Sequence, residues 1–183
     1  MAIELNDACR EAIQSALEEL KPVVAGVRWV KPQAMHLTLK FIGQLDEADL
    51  PRAVECLQGA AAGSAPFTMA VSGLSGFPPR GTPRVVHVEV REPTGTVLAL
   101  QREVDAALAR ELGIPREKRQ FTPHVTLGRV KDRRACPKMD VISSAVADQD
   151  FGEVAVDCMV LMKSDLRPDG AIYTRLHSFA LGG

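Results

Sequence analysis

Two short stretches of the chain alternate polar and apolar residues in the same way. Residues 36–39 read His-Leu-Thr-Leu, and residues 124–127 read His-Val-Thr-Leu. Successive side chains of a β-strand point to opposite faces, so the histidine and threonine of each copy share one face while the apolar pair shares the other. The pattern predicts two strands that bury an apolar face and present an imidazole beside a hydroxyl.

The rest of the chain predicts helices and strands around these two stretches. Apolar residues recur at helical spacing in some segments and alternate with polar residues in others. We expect helices over 7–20, 50–62, 97–112 and 139–146, and strands over 1–5, 27–30, 36–42, 67–72, 85–91, 121–130, 153–162 and 172–181. Glycine and proline favour loops over 73–84 and 164–170.

A helix followed by a histidine-bearing strand occurs twice in this order. The two histidines, His36 and His124, are separated by nearly half the chain. This layout predicts an α+β fold of two pseudo-symmetric lobes, with antiparallel sheets flanking a central groove and helices on the outside. We expect residues 1–183 to form a single domain built from the two intertwined lobes.

The repetition favours a functional interpretation of these histidines. A lone histidine on a strand is usually structural, but two of the four histidines in this chain carry the same pattern. The alternation leaves His87 facing either solvent or the groove, and we expect solvent. We also expect His177 to be an exposed strand residue.

Composition places the chain among ordinary globular proteins. It has 46% hydrophobic and 25% charged residues, and no apolar run long enough to cross a membrane. The first residues do not resemble a secretory signal, and the four separated cysteines form no C-x-x-C pair. We expect a cytoplasmic protein with reduced thiols and no membrane partner, and we expect it to be a monomer.

The charge distribution bounds the kind of nucleic acid that the chain could bind. A net charge of −1 is unlike the strongly basic domains that bind long nucleic acids. Basic segments do lie on both sides of the second histidine, over 116–119 and 129–134. A solvated surface and an anionic ligand explain these segments equally well. With 4% aromatic residues, we expect contact with only the terminal one or few nucleotides.

Two imidazoles facing one groove suit combined acid and base catalysis, because the ordinary histidine pKa lies near neutrality. The hydroxyls of Thr38 and Thr126 could donate hydrogen bonds to the oxygens of an anion between them, and a phosphodiester fits this description. No acid-rich ligand set accompanies the histidines, which disfavours a metal-dependent hydrolase, and we expect no cofactor. A serine hydrolase is disfavoured because the chain lacks a G-x-S-x-G motif.

The two motifs and their surroundings resemble the two-histidine (2H) phosphoesterases. Within that group they look like the RNA 2′,3′-cyclic phosphodiesterases, also called 2′-5′ RNA ligase-like proteins. The resemblance covers nearly the whole chain, and the double motif is its most specific feature. His87 stands where an aromatic residue is expected in this branch. The stretches that carry the resemblance are 2–5, 36–43, 76–78, 121–129 and 164–173.

The resemblance implies that water attacks a 2′,3′-cyclic phosphate at an RNA 3′ end and leaves a 2′-phosphate. It implies that His36 is the general acid that protonates the departing 3′ oxygen, and that His124 is the general base that activates water. Thr38 and Thr126 would hold the phosphate oxygens. The implied partners are RNA 3′ ends or small cyclic nucleotides.

Three further residues are predicted to bind substrate. Lys40 shares the alternation of His36 on an unbroken strand, although a solvated lysine at the groove rim is equally consistent with the pattern. Arg129 resembles an arginine that follows the second motif in the family, but it reaches the groove only if Gly128 permits a bulge or the strand twists. Tyr173 lies in a stretch that carries the resemblance.

Two other functions stay open at this point. The same groups could join 2′,3′-cyclic phosphate and 5′-hydroxyl ends through a 2′-5′ bond, since both reactions need the same proton transfers. Alternatively, the groove could bind nucleotides without turnover. Two intact copies of the motif argue against this second possibility, because binding alone does not require two proton-transfer groups.

Overall fold

A computed structural model describes residues 1–146, 149–167 and 170–182 of the protein. Within these residues, nine strands and four α-helices follow one another along the chain. They are β1 Ala2–Glu4, α1 Asp7–Leu20, β2 Val27–Trp29, β3 His36–Thr38, α2 Leu50–Ala62, β4 Phe67–Phe77, β5 Val85–Arg91, α3 Thr96–Leu112, β6 His124–Val130, α4 Met139–Ser144, β7 Asp150–Val156, β8 Cys158–Arg167 and β9 Gly170–Ala180.

The strands of the described residues form one antiparallel sheet that brings the two motif strands together. Its order is β7-β4-β5-β6-β3-β1-β8-β9, and β2 also pairs with β6. The motif strands β3 and β6 are neighbours in the middle, where Leu37 lies opposite Val125. Counting β2 beside β6, five strands lie on the β6 side of this junction and four on the β3 side, and the antiparallel sheet with its helices confirms the predicted α+β fold.

The apolar faces of the strands and helices form one continuous core. Leu37 and Val125 of the motif strands are fully buried in it, and so are apolar residues of all three longer helices. Asn6 caps the N-terminus of helix α1, and its side-chain oxygen accepts a hydrogen bond of 2.8 Å from the Cys9 amide. Helix α2 packs against α3. In the part of the chain that is described, no helix is both long and apolar enough to span a bilayer.

The first motif strand is shorter than the alternation predicts. The pattern favours a strand over 36–42, but β3 ends at Thr38. The amides of Leu39 and Lys40 both donate to the carbonyl oxygen of Met1, at 2.9 and 3.3 Å. Two successive amides cannot share one acceptor in a regular ladder, so the alternation of side chains stops here.

Other boundaries also differ from the prediction. Strand β4 continues to Phe77 through the expected loop, because a register shift between Ser72 and Leu74 accommodates Gly73 at φ +81°. The strand expected over 153–162 is two strands, β7 and β8. Strands β8 and β9 occupy much of the loop expected over 164–170, because β8 continues to Arg167 and β9 begins at Gly170. The two residues between these strands lie outside the described residues.

Candidate active site

The pairing of β3 with β6 places both copies of the motif on one face. Since Leu37 lies opposite Val125 in an antiparallel pair, His36 falls beside Thr126, and Thr38 falls beside His124. These four side chains are half-buried or exposed, whereas the apolar residues between them are buried. Each histidine therefore lies next to the threonine of the other copy, and the sheet brings together the four residues that the repeated pattern singled out.

A backbone carbonyl orients each of the two imidazoles. Nδ1 of His124 lies 2.7 Å from the carbonyl oxygen of Thr122, two residues upstream. His36 likewise forms a hydrogen bond with the backbone of Ala34, also two residues upstream. A carbonyl oxygen can only accept, so Nδ1 of His124 carries a proton. In neutral His124 the lone pair is therefore on Nε2.

Each imidazole also packs edge-to-face against an aromatic ring. The ring of Tyr173 lies 4.7 Å from that of His36, with an angle of 82° between the planes. The ring of Phe77 lies 4.9 Å from that of His124, at 86°. Tyr173 thus borders the site from β9, as expected of a residue near substrate, and its role in binding stays a prediction. The sequence pattern does not single out Phe77 as a site residue, because glycine and proline predict a loop there. The signal that could identify Phe77 is its position in the stretch 76–78, which carries the family resemblance.

Burial controls the protonation of His36. Loss of solvent, followed by the nearby N-terminal charge, lowers the pKa of His36 to about 4, although the Ala34 backbone and the Glu4 carboxylate act in the opposite direction. The imidazole is therefore neutral near pH 7 in the free protein. A negative charge placed beside it would favour its protonated form.

The expectation that His87 faces solvent is wrong. Its side chain is only 2% exposed and stacks on Phe77, with ring centroids 4.2 Å apart. In the sheet it lies opposite Thr126 on one side and Ser75 on the other, and its ring is 5.1 Å from that of His124. Alternation assigns the residues of β5 to its two faces correctly. It does not show that a ring covers His87, because that ring belongs to Phe77, in a segment that is predicted to be a loop.

The expected orientation of Lys40 is also wrong, because β3 ends before it. The side chain is buried, and Nζ donates to Asp105 at 2.6 Å and to the carbonyl of Pro115 at 2.7 Å. A carboxylate oxygen of Glu117 lies 3.8 Å away. Lys40 therefore ties the end of β3 to α3 and to the segment that leads into β6, rather than lining the groove with His36.

The backbone at Arg129 has the irregularity that its predicted role requires. Between β5 and β6 the pairing shifts, with Val86 opposite Gly128 but His87 opposite Thr126, so β6 carries one extra residue. A Cβ on Gly128 would meet side chains of β2 on the core side at 2.5 and 2.8 Å. With Leu127 also buried, alternation resumes with the exposed Arg129 on the face of Thr126. Its contact with substrate stays a prediction.

The charged groups near the site are carboxylates as well as guanidinium groups. Glu89 lies directly opposite His124 in the sheet and forms an ion pair of 3.4 Å with Arg91. Arg28 lies opposite Arg129 on β2. Among the described residues, no group of three or more His, Cys, Asp or Glu side chains is arranged to hold a metal ion.

Comparison with known proteins identifies the family of the chain. The family model of the 2′-5′ RNA ligase superfamily matches residues 9–168. The chain is 36% identical to a protein of Archaeoglobus fulgidus named RNA 2′,3′-cyclic phosphodiesterase, over 98% of this chain and 97% of that protein. It is 32% identical to a protein of the same name from Methanothermobacter thermautotrophicus, over 99% of this chain and 97% of that one.

Solved structures share the fold over the whole length. A crystal structure of a Thermus thermophilus protein, TT0787, is 32% identical, covers 100% of this chain and 96% of its own, and superposes with a TM-score of 0.84. Escherichia coli LigT in complex with 3′-AMP is 25% identical, covers 98% and 95%, and has a TM-score of 0.79. Together with the paired histidine strands, these matches establish that the chain belongs to the 2′-5′ RNA ligase superfamily, the two-histidine phosphoesterases that its sequence resembles.

Proposed function

We propose that this protein is a hydrolase that opens 2′,3′-cyclic phosphates at RNA 3′ ends and releases 2′-phosphomonoesters. The observation that carries the proposal is the antiparallel pairing of β3 with β6, which sets two histidines and two threonines on one face. The relatives named RNA 2′,3′-cyclic phosphodiesterase support the same activity. RNA ends and small cyclic nucleotides are the proposed partners.

In the proposed reaction His124 is the proton acceptor. With Nδ1 committed to the Thr122 carbonyl, the lone pair of Nε2 takes a proton from water. The oxygen of that water forms a bond to phosphorus, and the bond from phosphorus to the 3′ oxygen breaks. The phosphate stays on the 2′ oxygen, and the proton gained by the imidazole is returned to solvent after product leaves.

His36 is the proposed proton donor to the departing 3′ oxygen. Its pKa, lowered to about 4 by burial, leaves it neutral in the free protein, so it must be protonated in the complex. The negative charge of the bound phosphate stabilises the imidazolium. A buried imidazolium also gives up its proton readily as charge develops on the 3′ oxygen.

Thr38 and Thr126 are proposed to hold the non-bridging phosphate oxygens. Each hydroxyl lies beside the histidine of the other copy, so a phosphate placed between the imidazoles can receive a hydrogen bond from either side. Neutral donors orient the anion without competing for the proton. Since the imidazoles supply both proton transfers, we propose that hydrolysis requires no metal ion.

Ligation is the second candidate, because the superfamily to which the chain belongs is named for 2′-5′ RNA ligases. A 5′-hydroxyl in place of water would use the same base, the same acid and the same phosphate contacts. We propose hydrolysis as the main activity because the named relatives are phosphodiesterases. We further propose that the chain works in the cytoplasm as a single-domain monomer.

The experiment that tests this function identifies the product. The purified protein is incubated with a nucleoside 2′,3′-cyclic phosphate in EDTA, and the monophosphate isomers are separated by chromatography. We expect the 2′-phosphate alone, at a rate that EDTA does not change. A parallel reaction with an RNA that ends in a 2′,3′-cyclic phosphate and a second RNA with a 5′-hydroxyl measures ligation. The 3′-phosphate as product, or no turnover on either substrate, would contradict the proposal.

A further inference from the structure

A third imidazole, that of His87, lies against the site, and the proposed reaction gives it no role. It belongs to β5, which neighbours the second motif strand, and it lies directly opposite Thr126. Its ring stacks on Phe77 with an angle of 26° between the planes. Only 2% of the residue is exposed, so a substrate in the groove would reach little of it.

The rings of His87 and Phe77 stack on each other and pack together against one side of the imidazole of His124. Phe77 meets it edge-to-face at 4.9 Å and 86°, and His87 meets it at 5.1 Å and 62°. The Thr122 carbonyl holds Nδ1 of the same ring. Rotation of the His124 ring toward these two rings would drive it into them, and rotation away would break the hydrogen bond from Nδ1. His124 is thus held in the orientation that leaves Nε2 for water.

The properties of His87 suit packing against His124 rather than proton transfer. Its Nδ1 is buried and has no hydrogen-bond partner among the described residues. Burial, with a smaller contribution from His124, lowers the pKa of His87 to about 4, so the ring is neutral at the pH where His124 would act as a base. A neutral ring fills the space beside His124 without adding a charge that would oppose its protonation.

We propose that His87 is a positioning residue: its ring, together with Phe77, holds the imidazole of His124 in the orientation that accepts a proton from water. The inference rests on the proposed function for its kinetic consequence, but the geometry of the His124 ring can be measured without turnover. The ring shape of His87 carries this role, and its basicity does not. A phenyl group should therefore replace it.

Three variants test the proposal by steady-state kinetics on a nucleoside 2′,3′-cyclic phosphate. His87→Val removes the ring but suits a strand that already has valine on both sides of position 87. We expect kcat to fall roughly 10- to 100-fold with KM changed less than about threefold, as for a misoriented base. His87→Phe should keep kcat within about threefold of wild type. The matched control is His177→Val, which removes an imidazole that contacts Phe179 at 4.6 Å on β9 and should leave kcat unchanged.

Imidazole ¹⁵N chemical shifts give a readout that does not depend on catalysis. In wild type and in His87→Phe, we expect His124 as the single tautomer with its proton on Nδ1. In His87→Val we expect a mixture of tautomers, because an imidazole that rotates into the space left by His87 loses the hydrogen bond from Nδ1 to the Thr122 carbonyl. Wild-type kcat in His87→Val, equal losses in His87→Val and His87→Phe, or a single His124 tautomer in all variants would overturn the proposal. If wild type showed no turnover, the proposed function would fail, and the tautomers alone would decide the role of His87.

Discussion

The buried ion pair between Lys40 and Asp105 gives a prediction that separates two accounts of Lys40. Strand alternation places this lysine in the groove, where it would bind phosphate. In the structure, the ammonium of Lys40 instead donates hydrogen bonds to Asp105 at 2.6 Å and to the carbonyl of Pro115 at 2.7 Å. Lys40→Met should therefore lower stability and leave substrate affinity nearly unchanged.

The expected loss of stability depends on which charged group each substitution leaves without its partner. Asp105→Leu leaves an ammonium that is 2% exposed, with only Pro115 and the more distant Glu117 nearby, and breaking a buried pair in this way costs about 3–5 kcal/mol. Lys40→Met leaves a carboxylate that is 11% exposed and still accepts from the Glu117 amide at 3.2 Å. We expect a smaller cost of about 2–3 kcal/mol for this change. The double variant should regain most of the loss, because no unpaired charge remains.

Urea denaturation gives the free energies of unfolding, and KM for a nucleoside 2′,3′-cyclic phosphate gives the effect on substrate. The control is Lys163→Met, which breaks an exposed pair of 4.0 Å and should cost less than about 1 kcal/mol. A tenfold or larger rise in KM for Lys40→Met, with unchanged stability, would refute the structural role and restore the phosphate-binding prediction.

Three further predictions concern packing, phosphate binding and pH. Gly128→Ala should destabilise the protein by about 1–3 kcal/mol in urea, because the new Cβ would meet side chains of β2 at 2.5 and 2.8 Å; unchanged stability would argue against this close packing of β2 on β6. Thr38→Val or Thr126→Val should lower kcat/KM about 10- to 1,000-fold, and serine at either position should restore most of it. Burial lowers the pKa of His36 and of His87 to about 4, so the unfolded chain binds their protons more tightly. Stability should therefore be full above about pH 6.5 and fall as the pH drops toward 4, with a shallower slope in His87→Phe.

The central features of the site were predictable from sequence because they are local. Which face of a strand His36 or Thr126 occupies depends only on alternation within a few residues. That the two copies meet depends on the pairing of β3 with β6, and the repetition of the motif was the signal for it. The helices were predictable for the same reason, since their apolar periodicity spans several turns.

Features that depend on distant contacts were not predictable in this way. The strand around Lys40 ends early because two of its amides bind one carbonyl of Met1, which no local pattern encodes. His87 is buried because Phe77 stacks on it, and Phe77 lies in a glycine-rich segment that is typical of a loop but continues β4. The sequence could identify a bulge at Gly128 as a requirement for Arg129 to face the groove. Only the pairing of β6 with β5 shows that the strand is irregular there.

The most direct test of the account is the rate of cyclic phosphate hydrolysis by His36→Ala, His124→Ala and the double variant, measured in EDTA with His177→Ala as control. If the two imidazoles act together in one step, either single variant should lose at least about 10³-fold in kcat, and the double variant should be hardly slower than the singles. Rates near wild type in either single variant, or independent losses that multiply in the double variant, would contradict paired acid and base catalysis by these two strands.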